Sequence, residues 1–238
     1  GVDYKPKFNV QILAAALLLL FGLRMRFLQP AYVAALVTMI WVVGVTNAFN
    51  IVDIMDGLSA SQAAVAAVAF LMISLPSEEL YVNFASAALA GAALGFLPWN
   101  MSKKHKIFMG DSGSLLIGFL LAGISLGARY SDVNDAGVFA PVLILFVPAF
   151  DTFFVSLLRL NQGKSPFLGS KDHFALRLEK MGFGRGRIVL MAGAAAGFMG
   201  FCAFLVTQLP LKSTVAVYVL VAVLVAWVGR RMALVEMG

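Results

Sequence analysis

The sequence has 238 residues, of which 61% are hydrophobic and 13% charged, and its mean hydropathy is +0.91. Soluble domains carry about 45–50% apolar and about 25% charged residues. These values exclude an ordinary soluble globule and a disordered chain, and the single cysteine excludes a disulfide scaffold. The composition favours a protein folded in lipid.

Continuous apolar segments run along the whole chain. A helix needs roughly 20 apolar residues to cross a bilayer, and runs rich in Ala, Leu and Gly without polar alternation favour helices over strands. We therefore predict an all-α, polytopic membrane protein with about eight transmembrane helices, in a single domain over residues 1–238. The predicted spans are residues 8–28, 31–48, 59–75, 80–98, 113–129, 137–160, 186–208 and 212–229.

The distribution of Lys and Arg predicts the orientation of these helices. If successive loops alternate between the two sides, one side holds 14 of the 18 basic residues. Because cytoplasmic loops are enriched in Lys and Arg, this side is predicted to be cytoplasmic. The net charge of +6 is therefore a topology signal, and no nucleic-acid partner is expected. The other side carries only Arg24, Arg26, Arg129 and Lys212, of which the Arg24–Arg26 pair is a local exception to the rule.

Polar side chains recur every three residues between the second and third segments. They are Asn47, Asn50, Asp53 and Asp56, followed by Gly57. On a helix this spacing forms one slowly drifting stripe. Oxygen-bearing side chains at a membrane edge can hold Mg²⁺ and order a polar ligand, and acids in such places usually mark function. Helix capping followed by a turn is the structural alternative.

A second motif, residues 110–114 (GDSGS), leads directly into the fifth segment. The glycines on both sides of Asp111 let the backbone approach a ligand closely, and the N-terminus of the following helix favours anions. Asp111 could offer a carboxylate to Mg²⁺ that is also bound by phosphates. The alternatives are that Ser112 or Ser114 caps the helix, and that the lysines just upstream anchor the chain at the membrane.

The longest cytoplasmic loop carries His173 and Arg177, which are four positions apart and share a face if the segment is helical. Arg can contact phosphate in a bidentate manner and His can donate to an oxyanion. An interfacial amphipathic helix is an equally supported alternative. Asp151, near the cytoplasmic end of the sixth segment, is predicted to pair with a basic loop residue or to brace the site.

In combination, these motifs resemble the polyprenyl-phosphate N-acetylhexosamine-1-phosphate transferase family (glycosyltransferase family 4). This family includes phospho-N-acetylmuramoyl-pentapeptide transferase and its relatives that use UDP-N-acetylglucosamine. The resemblance covers nearly the whole chain in the correct order. It rests on residues 47–58, on residues 110–114, on the Pro-x-x-Asp-Thr element at residues 148–152 and on the histidine loop at residues 164–178.

The resemblance implies transfer of N-acetylhexosamine-1-phosphate from a UDP-sugar to polyprenyl (undecaprenyl) phosphate, with release of UMP. The implied place is the cytoplasmic face of the bacterial inner membrane, at the start of cell-envelope polysaccharide synthesis. Mg²⁺, or Mn²⁺ in its place, is the implied cofactor, bound by Asp111 and Asn50, with Asp53 and Asp111 as catalytic residues. The implied substrate-binding residues are Asn47, Asn50, Asp56 at the uracil edge, Phe108 stacked on the ring, and His173 and Arg177 at phosphate or sugar.

The sequence departs from the family pattern at three places. The family's adjacent Asp-Asp pair and the two spans before it have no counterpart, so we expect the chain to be an N-terminally truncated transferase. Ile54 stands where the family has Gly. Ala175 and Leu176 occupy positions that are His in several members, which points away from the pentapeptide branch and toward a sugar-specific branch. The alternative function is a transporter, or a non-catalytic protein that binds lipid or nucleotide sugar. A homodimer is left open.

Overall fold

The computed structural model describes residues 4–77, 79–165, 170–235 and 237. Within these ranges all regular structure is helical, which confirms the predicted all-α class. Two short 3₁₀ turns, Leu75–Ser77 and Asp135–Phe139, join helices. The helices are α1 (Tyr4–Leu20), α2 (Ala31–Val52), α3 (Leu58–Ser74), α4 (Leu80–Asn100), α5 (Gly110–Gly127), α6 (Ala140–Ile144), α7 (Phe146–Asn161), α8 (Phe174–Lys180), α9 (Arg185–Gln208) and α10 (Leu211–Ala233).

Six of the described helices are long and apolar enough to cross a membrane, namely α2, α3 with its 3₁₀ extension, α4, α5, α9 and α10. The segment from Asp135 to Asn161 adds a seventh span if its two bent parts are counted as one. The first predicted span is represented by α1, whose apolar part, Pro6–Leu20, is shorter than the others. The chain is thus a multi-pass membrane protein, with a span count close to the predicted eight.

The sixth predicted span, residues 137–160, is bent by 75° between its two parts. Pro148 supplies the physical reason. A proline has no N–H to donate to the carbonyl four residues earlier, and its ring clashes with that carbonyl. That carbonyl belongs to Ile144, where α6 ends. A continuous apolar run therefore contains two helices.

Small residues pack α3 into the centre of the bundle, where it contacts mainly α4 and α9. A Cβ at Gly200 of α9 would lie 3.1 Å from the Ala69 Cβ of α3. Small side chains let helix backbones approach closely, which is a main source of helix association in lipid. The buried small residues of α3 include Ala60, Ala63, Ala64, Ala66 and Ala67.

A close contact between α2 and α5 fixes the geometry of the polar end of the bundle. A Cβ at Gly118 would lie 2.7 Å from the Thr46 Cα and 3.0 Å from the Thr46 carbonyl oxygen. No side chain larger than hydrogen fits there without separating the two backbones. This contact holds the C-terminal end of α2 beside the N-terminal end of α5, and thereby brings the two predicted motifs together.

Candidate functional site

The polar stripe predicted for residues 47–56 lies only partly on a helix. Asn47 and Asn50 belong to α2, but α2 ends at Val52, and Asp53 has φ −77° and ψ 50°, outside the helical region. A short hydrogen bond from the Ile54 N–H to the Val52 carbonyl, 2.8 Å long, begins a tight turn into α3. Helical spacing therefore does not describe Asp53 and Asp56, and the single helical stripe was wrong for these two residues.

Asp111 receives hydrogen bonds from two other helices. The Lys7 Nζ of α1 lies 2.6 Å from one carboxylate oxygen, and the Asn50 Nδ2 of α2 lies 3.0 Å from the other. The same Asn50 nitrogen is 2.9 Å from the Ser114 hydroxyl. The structure thus brings together the two residues predicted to bind a metal. The sequence interpretation missed Lys7, which lies 104 positions before Asp111 and carries no motif signal.

Asp56 and Phe108, the predicted uracil-binding pair, are connected through Lys106. The Lys106 Nζ lies 2.7 Å from a carboxylate oxygen of Asp56 and 4.5 Å from the centre of the Phe108 ring. Phe108 is 74% exposed, so its ring is open to a planar ligand. Lys106, which the sequence favoured as a membrane anchor, is therefore also part of this site.

Asp53 lies half-buried beside the other two carboxylates. Burial, and then the charges of Asp56 and Asp111, raise its pKa to about 6. Lys7 and Lys106 form ion pairs with Asp111 and Asp56, whereas Asp53 has no ion-pair partner among the described residues. We call Asn50, Asp53, Asp56 and Asp111 the carboxylate cluster.

Asn100 joins the two loops that carry this cluster, and sequence reasoning did not single it out. Its side-chain oxygen accepts a hydrogen bond of 2.6 Å from the Gly57 N–H, and its amide nitrogen donates one of 2.9 Å to the Ile107 carbonyl. Gly57 has a φ of +80°, which favours glycine. The only signal in the sequence is an amide residue at the end of an apolar helix.

Asn47, the first member of the predicted stripe, lies apart from Asp111. Its amide nitrogen donates hydrogen bonds of 2.6 Å to the Gln11 side-chain oxygen and 3.1 Å to the Val43 carbonyl. The bond to Gln11 attaches α1 to α2, whereas the bond to Val43 lies within α2. Asn47 therefore supports the position of α1, which carries Lys7, and its contact with a substrate stays a prediction.

His173 and Asp151 form a buried pair, as expected for an acid that needs a partner. The His173 Nδ1 lies 2.7 Å from one Asp151 oxygen, and the other accepts a 2.9 Å hydrogen bond from the Phe174 N–H at the start of α8. Since α8 begins at Phe174, His173 precedes the helix with an extended backbone and does not share a helical face with Arg177. The shared face was predicted only for a helical segment, and His173 stands just before the helix, where Asp151 accepts from the Phe174 N–H.

Arg177 is 3% exposed, and its guanidinium is surrounded by partners. It donates to the Asp172 carboxylate at 2.8 Å, to the Asp172 carbonyl at 3.0 Å, to the Met232 carbonyl at 3.0 Å and to the Val235 carbonyl. We call Asp151, Asp172, His173 and Arg177 the His–Arg clamp. Among the described residues no hydrogen bond or ion pair joins the clamp to the carboxylate cluster, and residues 166–169 of the predicted histidine loop lie outside the described ranges.

The donor set of the carboxylate cluster fits a hard divalent cation. Within the described ranges, no group of three or more His, Cys, Asp or Glu residues could by itself hold a metal ion. Mg²⁺ commonly takes only one or two protein carboxylates and completes its shell with water and substrate phosphates. Burial raises the pKa of Asp53 most, and the charges of Asp56 and Asp111 add to it; a bound cation would offset the effect of those charges.

An apolar groove of about 540 Å³ opens beside the cluster, between α4 and α5. One end is lined by Phe108, Met109 and Gly113, next to Asp111, and the rest by Ala, Leu, Ile and Phe side chains. The groove places an apolar surface at the edge of a charged site. It suits a molecule with a long hydrocarbon chain and a polar end.

The chain is similar to bacterial proteins named as transferases that act on polyprenyl phosphates. It is 36% identical to decaprenyl-phosphate N-acetylglucosaminephosphotransferase of Mycobacterium tuberculosis over 164 residues, which is 64% of this chain and 40% of the relative. It is 30% identical to a probable undecaprenyl-phosphate N-acetylglucosaminyl 1-phosphate transferase of Bacillus subtilis over 196 residues, 79% of this chain and 54% of the relative. The matches thus span only about half, or less, of these curated relatives.

A family model agrees with these similarities. Glycosyl transferase family 4 matches residues 1–129, more than half of the chain. The matched region contains the whole carboxylate cluster together with Lys7, Asn100 and Lys106. The His–Arg clamp lies beyond it. On these grounds the chain belongs to glycosyl transferase family 4.

Proposed function

We propose that this protein transfers N-acetylhexosamine-1-phosphate from a UDP-sugar to a polyprenyl phosphate and releases UMP. An oxygen of the lipid phosphate attacks the β-phosphorus, and the bond from this phosphorus to the oxygen that bridges to the α-phosphorus breaks. The single observation that carries the proposal is the convergence of the carboxylate cluster with two lysines beside an apolar groove. Relatives named for this type of transfer support it.

The nucleotide would bind at Phe108 and Asp56. Phe108 is exposed and offers a ring face for stacking, and Asp56 can accept a hydrogen bond from a uracil N–H. Lys106 now lies between the two, with its ammonium 2.7 Å from Asp56 and 4.5 Å from the ring centre. Entry of the base would move Lys106 toward the diphosphate, where a cation is favourable.

Mg²⁺ bound at Asp111, with the side-chain oxygen of Asn50 and the Asp53 carboxylate nearby, would neutralise charge on the diphosphate. Phosphoryl transfer depends mainly on such positioning and charge neutralisation. Lys7 now forms a 2.6 Å ion pair with Asp111 and would turn to phosphate oxygens when a cation takes its place. Mn²⁺ meets the same donor preference.

The lipid acceptor would lie in the groove between α4 and α5, with its phosphate at Asp111. The groove's apolar lining suits a polyprenyl chain, and its Phe108–Gly113 end meets the carboxylate cluster. Because nucleotide sugars are cytoplasmic, the site would lie on the cytoplasmic face of a bacterial inner membrane. The excess of Lys and Arg at this end of the helices supports this orientation.

The test measures UMP release by the purified protein from UDP-N-acetylglucosamine, with undecaprenyl phosphate and Mg²⁺ in detergent. We expect UMP release that stops with EDTA and returns with Mg²⁺ or Mn²⁺. Asp111→Asn keeps the shape of the side chain and should lower the rate by a factor of about 10²–10³, the usual effect of removing one such electrostatic group.

Glu179→Gln is the matched control. Glu179 is an acid at the same end of the bundle, but its partner is Arg185 and it lies outside the carboxylate cluster. It should leave UMP release unchanged. Equal losses in the two variants, or no UMP release together with no binding of labelled UDP-sugar, would contradict the proposal. UDP-sugar binding without UMP release would favour the non-catalytic alternative.

A further inference from the structure

A cavity unrelated to the carboxylate cluster lies at the opposite end of α2 and α5. It has a volume of about 550 Å³ and is bordered by Trp41 of α2 and Ser125 of α5. Trp41 is 12 residues before Asp53, and Ser125 is 14 residues after Asp111. At a rise of about 1.5 Å per residue, the cavity is roughly 20 Å from the carboxylate cluster along the helices.

The wall of this cavity is aromatic, and its mouth is open. Phe27 and Phe139 are in edge-to-face contact, with ring centres 5.9 Å apart, and are 45% and 50% exposed. Trp41 lies deeper and donates a 2.8 Å hydrogen bond to the Ser125 hydroxyl. A hydrogen bond of 3.0 Å from the Met25 N–H to the Thr38 hydroxyl attaches the adjoining loop to α2. The wall is therefore held in place in this structure.

Three of the four basic residues predicted for this side of the membrane line the cavity, namely Arg24, Arg26 and Arg129. Arg129 pairs with Glu79 at 2.8 Å through its Nε, yet its side chain is 64% exposed. Arg24 and Arg26 are exposed, and neither has a hydrogen-bond or ion-pair partner in the part of the chain that the structure describes. Asp132 is the single acidic residue of the lining.

These observations exclude two ordinary explanations for the Arg24–Arg26 pair. The pair does not serve as a topology signal, because it opposes the excess of basic residues at the other end. It does not hold the fold together through polar contacts either, because neither guanidinium has a hydrogen-bond or ion-pair partner among the described residues. Guanidinium groups bind phosphate oxygens through paired hydrogen bonds, and an apolar wall directly behind them accepts hydrocarbon.

We propose that this cavity binds the phosphate headgroup and first acyl carbons of an anionic phospholipid. Arg24, Arg26 and the free edge of Arg129 would contact the phosphate, while Phe27, Trp41 and Phe139 would contact the acyl chains. A soluble anion would gain nothing from the aromatic wall, and a zwitterionic lipid would bring a second positive charge to the arginines. The proposal does not depend on the transferase activity.

Trp41 serves as the reporter in the test. The chain has three tryptophans, so Trp99→Phe with Trp227→Phe leaves only Trp41 to fluoresce. This protein is placed in bilayers of phosphatidylcholine that contain increasing fractions of brominated phosphatidylglycerol or brominated phosphatidylcholine. We expect the brominated anionic lipid to quench Trp41 at lower mole fractions. Arg24→Gln with Arg26→Gln should reduce this preference at least about fivefold, since each basic residue near anionic lipid adds that order of affinity.

Two further variants keep the test decisive. Lys212→Gln removes an exposed charge on the same side but outside the cavity, and should leave the preference unchanged. Arg24→Lys with Arg26→Lys keeps the charge and should retain most of the preference. Equal quenching by the two lipids, an equal loss in Lys212→Gln, or a preference that survives the Gln pair would overturn the proposal. So would displacement of the lipid by millimolar glycerol phosphate, which would indicate a soluble anion.

Discussion

The carboxylate cluster and the His–Arg clamp are both rich in charge, but they differ in how that charge is compensated. In the clamp, His173 and Arg177 are buried and held by carboxylates and carbonyls on all sides. In the cluster, Asp53 has no ion-pair partner among the described residues, and Asp111 and Asp56 pair with partly exposed lysines. The comparison teaches that the cluster keeps charged groups available to bind a ligand. In the clamp, the charged groups are already paired with one another and with carbonyls, and these pairs fix α8.

The largest effect should follow from Asp53→Asn, which removes the uncompensated charge of the cluster. The rate of UMP release should fall by a factor of about 10²–10³, because the carboxylate proposed to order the metal and diphosphate is lost. The measurement is the rate of UMP release at saturating Mg²⁺ and UDP-sugar. Asp135→Asn, at the opposite end of the bundle, is the control and should keep its activity. An Asp53→Asn enzyme at full rate would show that the cluster does not act on the substrate.

Arg177→Gln should disrupt the His–Arg clamp and lower the thermal stability of the protein. It leaves Asp172 and two carbonyls without their cation, and breaking a buried ion pair costs about 3–5 kcal/mol. Thermal unfolding in detergent should therefore shift strongly downward. Arg185→Gln, whose exposed guanidinium pairs with Glu179, should unfold like the parent. If instead Arg177→Gln unfolds normally and only the KM for UDP-sugar rises, Arg177 contacts the substrate and the comparison fails.

Gly118→Ala tests whether the α2–α5 contact positions the cluster. The added Cβ would lie 2.7 Å from the Thr46 Cα, so the helices must separate, at a cost of about 1–3 kcal/mol. The Asn50 Nδ2 and the Asp111 Oδ1 are 3.0 Å apart across this interface, and they should move out of hydrogen-bond distance. We expect a lower unfolding temperature and a lower rate of UMP release.

The matched control for this change is Gly123→Ala in the same helix. A Cβ there meets only a Leu18 methyl at 4.0 Å, so the substitution should be tolerated. Equal behaviour of the two variants would show that the close contact at Gly118 does not set the geometry of the site.

The smallest effect concerns the pH dependence of stability without metal. The pKa of Asp53 is about 6 in the folded protein and 3.8 in its ordinary state. Between these two pKa values the folded state therefore binds more protons than the unfolded state. As a result, the contribution of Asp53 to the stability of the metal-free protein is lost as pH rises through 6. Because Asp53 is partly exposed, screening should reduce this effect to about 1 kcal/mol.

The measurement for this prediction compares unfolding of the parent and Asp53→Asn at pH 5 and pH 7.5 in EDTA. Asp53→Asn should be more stable than the parent at pH 7.5, and the gap should narrow at pH 5. The opposite order at pH 7.5 would mean that Asp53 is stabilised as an anion by a partner.

The sequence was sufficient to predict the helical class and the motifs that supply Asn50, Asp53, Asp56 and Asp111. Continuous apolar runs and clustered polar residues are local patterns, and local patterns can be recognised from the sequence alone. The ion pairs of Lys7 and Lys106 join residues 104 and 50 positions apart, and no local pattern reports them. Contacts of this kind depend on how the helices pack.

One local prediction failed at a helix end, because helical spacing does not apply past Val52, where α2 ends. The shared face of His173 and Arg177 was conditional on a helix, and α8 begins only at Phe174, whose N–H bonds to Asp151. The bend between α6 and α7 is a different case, because the residue that causes it, Pro148, can be read directly from the sequence. The sequence analysis nevertheless predicted one span there, because both parts of the apolar run are equally suited to lipid.

The Asn100 carboxamide has a consequence for the timing of ligand binding. One planar group holds Gly57 on one loop and Ile107 on the other, so neither loop can shift without pulling on the same amide. A shift of the loop that carries Asp56, a residue proposed to bind the base, would thereby be transmitted to the segment that leads to Asp111. The two proposed substrates, a nucleotide sugar from water and a polyprenyl phosphate from lipid, would then each affect the binding of the other through a single side chain.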